Sequence, residues 1–180
     1  MPTEQVSWAK DRRLALEAII KGIIPDVLPA IRFRLHDGPD PITSAPNPGF
    51  AEGSRLFEVY FGPFAGYGPP QLGSGTMNGD TLMNVTNFAR VDVRYSGNRA
   101  IDATTRRDWN DMAAADSEKI LHAISPGVAG ALWGDVTPYK WGIANIMLEM
   151  PNEKETPARP YVIMRLWLSL TYDIGRNSNY

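Results

Sequence analysis

His36 and His122 are the two histidines of the 180-residue chain, and imidazole is the side chain best suited to general-base or metal chemistry at neutral pH. His36 precedes Asp37 at the end of a strand pattern, and His122 lies in a helical pattern. Neither belongs to H-x-H, H-E-x-x-H or another ligand spacing, so a histidine metal centre has no support from spacing. Spacing alone leaves a Ser-His-Asp triad open, but the chain has no G-x-S-x-G elbow of the kind that presents a serine nucleophile between strand and helix. The nearest string, Gly73-Ser74-Gly75-Thr76, lacks that setting. With no cysteine in the chain, disulfides, thiolate zinc sites and cysteine nucleophiles are excluded.

The glycines raise the question of phosphate binding. Gly73, Gly75 and Gly79 miss the G-x-G-x-x-G spacing, and no Gly-Lys-Ser/Thr follows any glycine, so no P-loop is present. The stretch also runs into a strand pattern, leaving no helix N-terminus to receive an anion. Asp37 and Asp40 flank a Gly-Pro pair without the alternating acids of a calcium loop. Asp108 and Asp111 read as the opening of a helix. No cofactor or metal is therefore expected, and the residue types point to assembly rather than turnover.

The elements that position these residues follow from patterning. Val162 to Asp173 alternates with period two: Met164, Leu166, Leu168, Leu170 and Tyr172 on one face, Ile163, Arg165, Trp167, Ser169 and Thr171 on the other. That is a strand with one wholly buried face, expected at the centre of a sheet. Trp8, Ala15, Leu16, Ile19, Ile20 and Ile23 recur at helical spacing, with Thr3 as a possible cap and Gly22 and Pro25 as the stop. Residues 30–36, 56–61, 82–95 and 141–150 read as further strands, those at 56–61 and 82–95 as the arms of a long hairpin. A second helix opens with Thr105 and Asp108 in the S/T-x-x-D relation and stops at Pro126-Gly127. Its acids Asp108, Asp111, Asp116 and Glu118 are read on the solvated side. Residues 128–140 read as a Gly-rich link carrying Trp133 and Tyr139.

Two stretches resist both periods. Residues 37–54 hold four prolines and three glycines, and residues 62–79 hold six glycines and three prolines, so both are read as extended loops. The fold class expected is α+β, one domain over 1–180, a mostly antiparallel sheet with two helices packed on one face. Phe64, Tyr67, Leu72 and Met77 lack periodicity with the core. Apolar residues on extended loops are characteristic of interface anchors, and these four are the contact residues expected, with Arg165 and Trp167 as weaker members.

Apolar content of 43%, charged content of 21% and a formal charge of −2 are ordinary for a globular protein. Each half, 1–97 and 98–180, carries nine Lys/Arg against ten Asp/Glu. That balance gives sequence-independent nucleic-acid binding little electrostatic support. The polar start MPTEQVSWAKDRR has no signal-peptide core, and no apolar run reaches the ~18 residues of a membrane span. A soluble protein of a reducing compartment is expected, with no membrane partner.

Three passages, RRLALEAIIKGI, FARVDVRY followed by TRRDWNDMAAADSEKILHAI, and RLWLSLTYDIG, together resemble the tail terminator (tail completion) proteins of long-tailed bacteriophages, and the element order agrees. The resemblance implies a structural virion protein of the tail or neck, assembled in the host cytoplasm as a six-subunit ring. Such a ring would sit on the last ring of the tail tube, stop its polymerisation and offer a surface to the head connector. Its partners would be other copies of itself, the tail tube protein, the head-tail connector, and viral DNA passing through the lumen without specific binding. Alternative readings are another neck protein, a stopper or adaptor, or a small α+β enzyme or ligand-binding domain with a cleft near His36, Asp37 and Trp133.

Overall fold

The computed structural model describes residues 8–39, 41–42, 54–62, 71–77, 80–96, 106–134, 137–149 and 161–174. In chain order these form α1 (Trp8–Gly22), β1 (Phe33–Leu35), β2 (Ser54–Phe61), β3 (Gln71–Met77), β4 (Asp80–Ser96), α2 (Arg106–Ala123), α3 (Pro126–Trp133), β5 (Lys140–Glu149) and β6 (Tyr161–Ile174). The fold is α+β. Its mixed sheet has the order β1-β2-β4-β6-β5, with β3 pairing β4 beside the end of β2. β1 runs parallel to β2, and the other pairings are antiparallel.

β6 takes the interior place its alternation predicts, between β4 and β5. Met164, Leu166, Leu168 and Leu170 are fully buried, opposite Val93, Val91, Ala89 and Asn87 of β4. Burying a side chain of this size stabilises by about 1.5–3 kcal/mol, so this ladder is the centre of the core. Phe57 and Val59 of β2 extend it, as do Leu16 and Ile20 of α1, Ala113 and Ile120 of α2, and Ala129 and Trp133 of α3. All the core residues of β4 and β6 belong to one alternation set, so the core lies on one side of the sheet. All three helices contribute to it.

Several expectations need correction. α2 ends at Ala123, close to the expected stop, but Pro126 then opens a third helix, α3, at its first turn. Proline is well placed there, because its missing N–H would be unsatisfied anyway. The expected link at 128–140 is thus helical as far as Trp133, which is buried with its indole Nε1 donating to the Ile124 carbonyl at 2.8 Å. The stretch 62–79 is not structureless: β3 runs from Gln71 to Met77 in register with Thr86 to Asp80 of β4. Asn78 and Gly79 stand between Met77 and Asp80, and Asn-Gly is the preferred sequence for a two-residue hairpin. Ser54 belongs to β2 rather than to the preceding loop, and β2 begins two residues before the expected Leu56. Asp116, read on the solvated side of its helix, is fully buried. Arg12 is buried as well, with its guanidinium 3.6 Å from the centre of the Tyr172 ring. The Thr3 and Thr105 caps, and the loop residues 43–53 and 63–70, lie outside the described residues.

Candidate functional site

Phe64 and Tyr67 lie outside the described residues. Leu72 and Met77 are both in β3, in register with Val85 and Asp80. β4 is 17 residues long. Its second part, from Ala89 to Ser96, pairs with β2, while its first part, from Asp80 to Thr86, pairs with β3. The sheet therefore continues past the end of β2 as a hairpin that ends at Met77 and Asp80.

Arg165 and Trp167 lie on the side of the sheet away from the core, near its middle. Trp167 is in register with Arg90 and Asn145 and keeps only 9% of its surface exposed, so it has little area to offer a partner. Arg165 is part of a row of charge that crosses the strands. Its Nη2 lies 2.7 Å from Glu149 of β5 and its Nε 3.9 Å from Asp92 of β4. Asp92 in turn sits 3.0 Å from Nε of Arg90, whose guanidinium stacks 4.4 Å from the centre of the Tyr60 ring. The Tyr60 hydroxyl donates to Glu58, and Glu58 lies 3.7 Å from Nε2 of His36. Burial, reinforced by the Glu58 carboxylate, pushes the Tyr60 hydroxyl up to about 12. Burial also raises the Asp92 carboxyl above the ordinary range, against the pull of Arg90 and Arg165. Each charge in the row has an opposite neighbour, so the row fixes strand packing more than it offers a free charge to a ligand.

Among the described residues, His36 and Trp133 of the enzyme reading lie on opposite sides of the sheet. His36 faces Glu58 on the charged side of the sheet, whereas Trp133 is sealed in the core on the other side. His122 is exposed on α2.

One cluster that the pattern reading missed lies inside the core layer. Arg55 of β2 and Asp116 of α2 form a fully buried ion pair at 2.7 Å. The remaining guanidinium donors go to the carbonyls of Val27, Leu28 and Ile31 at 2.6, 3.2 and 2.7 Å. Arg55 thereby pins the connection between α1 and β1, where Leu28 adopts a left-handed φ of 51°, a conformation costing about 1–3 kcal/mol for a non-glycine residue. Burial and the neighbouring Asp116 carboxylate hold the Tyr95 hydroxyl protonated well above its usual range. Burial likewise raises Asp116, although Arg55 opposes it. The signal for Asp116 was in the sequence, since it shares the spacing of Ala113 and Ile120, both buried on the core side of α2. A charged residue at that period needs a buried partner.

A further feature among the described residues is an edge of the sheet. β5 ends the main strand path, bonded to β6 along one side. Tyr139, Trp141, Ile143, Ile146 and Met147, at or beside it, are half of the ten large apolar residues exposed among the described ones. Among the described residues no helix is long and apolar enough to cross a membrane. No known protein-family pattern matches the chain, and no curated protein matches its sequence.

Proposed function

We propose that this protein is a structural ring-forming component of a phage tail, closing the head-proximal end of the tail tube and joining it to the head connector. The observation that carries the reading is the β3–β4 hairpin. In the 17-residue β4 the first part pairs with β3 in place of β2, and residues 80–82 also extend past the residues paired with β6, so the hairpin tip stands out as an arm that a neighbouring subunit can receive. A head-to-tail contact of this kind presents two different patches on each subunit, which is what closes a cyclic ring. The formal charge of −2 suits a lumen through which DNA slides without being held. A stopper or adaptor on the portal side would share the ring and differ in the face it caps.

Negative-stain electron microscopy of the purified protein over a concentration series, with and without tail tubes, tests the reading. Rings of about six subunits seated on tube ends are expected, and tubes assembled without the protein should overgrow. Met77→Asp, next to the hairpin turn, should abolish rings while circular dichroism stays unchanged. Tubes of normal length in the protein's absence would overturn the proposal.

A further inference from the structure

We propose that β5 pairs with the β5 of a second copy, antiparallel about a two-fold axis, joining two sheets into one. The contact is separate from the ring contact above and does not rest on the virion reading. A lysine and a bulge on an edge strand ordinarily discourage pairing. Here both become complementary under one register.

In an antiparallel pair, opposed residues share a face of the sheet. When an unbroken strand meets its own copy, opposed residues are therefore separated in the chain by an even number of positions. β5 is not unbroken: its register against β6 shifts between Ile143 and Asn145. Trp141 and Ile143 before the shift, and Ile146 and Leu148 after it, are opposite Leu170, Leu168, Leu166 and Met164, so all four lie on the core side. Residues from the two halves now share a face at odd separations. The register that uses the whole of Lys140–Glu149 has odd separations throughout. It sets Trp141 against the second copy's Leu148, and Ile143 against the second copy's Ile146. On the other side it sets Met147 against Gly142, and Lys140 against Glu149. The apolar positions meet one another and the two end charges are opposite in sign. Ile143, Ile146 and Met147, respectively 36%, 42% and 48% exposed, would leave water together with the strand's outward N–H and C=O groups.

The absence of native cysteine makes the register directly testable. Gly142→Cys and Met147→Cys are made as separate full-length variants, mixed in equal amounts and oxidised mildly. A Cβ at Gly142 meets nothing within 4 Å, so the substitution fits. Opposed residues have Cα atoms about 4.5–5.5 Å apart, inside disulfide range. Two copies of the same variant would hold their cysteines about 17 Å apart at ~3.3 Å per residue, too far to bond. The mixture should therefore give a covalent dimer at least tenfold above either variant alone, and Ile146→Lys added to both should remove it. In sedimentation velocity the unmodified chain should be a dimer, and Ile146→Lys should weaken it at least tenfold with unchanged circular dichroism. Equal cross-linking in the single variants and the mixture, or a monomer at every concentration in sedimentation velocity, would overturn the proposal. Loss of rings without loss of this cross-link would count against the tail reading alone.

Discussion

Arg55 is the residue on which the helix layer and the sheet most depend, because its one side chain satisfies Asp116 and three backbone carbonyls at once. Arg55→Met leaves a carboxylate buried without a cation and should cost about 3–5 kcal/mol in urea unfolding. Arg55→Met with Asp116→Leu should cost less than that single change, since no charge is stranded. It should not return to the wild-type value, because the Val27, Leu28 and Ile31 carbonyls still lose their donor. A double variant as unstable as the sum of its two singles would refute the coupling. Asp92 supports a prediction about pH. In an unfolded chain an aspartate loses its proton near pH ~4, whereas burial raises the Asp92 carboxyl in the fold. Between those two values the native state binds more protons than the unfolded state, so this group's contribution to stability declines as pH rises through that window. Asp92→Asn should make the decline shallower when unfolding free energies are compared from pH 4 upward.

Elements whose order comes from one strong period could be read directly from the chain. The alternation of β6 and of the second half of β4, and the apolar stripe of α1, led to elements that the structure contains. β3 was obscured because Gln71-Leu72-Gly73-Ser74-Gly75 has neither β-branched residues nor alternation. Its partner strand supplies the order, and Asn78-Gly79 was the local clue. α3 was obscured because its proline reads equally as a stop or a start, and the buried Trp133 settles which. The candidate site was less legible than the fold. A contact surface is defined by what a partner covers, and one chain's periodicity carries no record of that. Trp133 gives this scale its test: Trp133→Phe keeps most of the packing and loses the bond to Ile124, so about 1 kcal/mol of stability should go. Trp133→Ala should cost about 3–5 kcal/mol through the cavity left behind. Thermal melts of the two variants would separate these effects.

For the whole molecule, pairing through β5 makes stability depend on concentration. A ligand that binds only the native state stabilises it by mass action, and a second copy is such a ligand. The wild-type melting temperature should therefore rise over a hundredfold range of protein concentration, and that of Ile143→Lys should stay flat. A flat wild-type curve would mean that the native chain stands alone at its edge. The β4–β6 ladder, which ties Ser96 to Tyr161 and Met83 to Ile174, has a consequence for how the protein is made. During synthesis β4 emerges long before β6, and at ~5–20 residues per second the ribosome takes on the order of several seconds to deliver its central neighbour. Throughout that interval Val91, Val93 and Tyr95 have no β6 against which to close. The nascent chain is then a substrate for chaperones, and a message truncated before Tyr161 should yield insoluble protein.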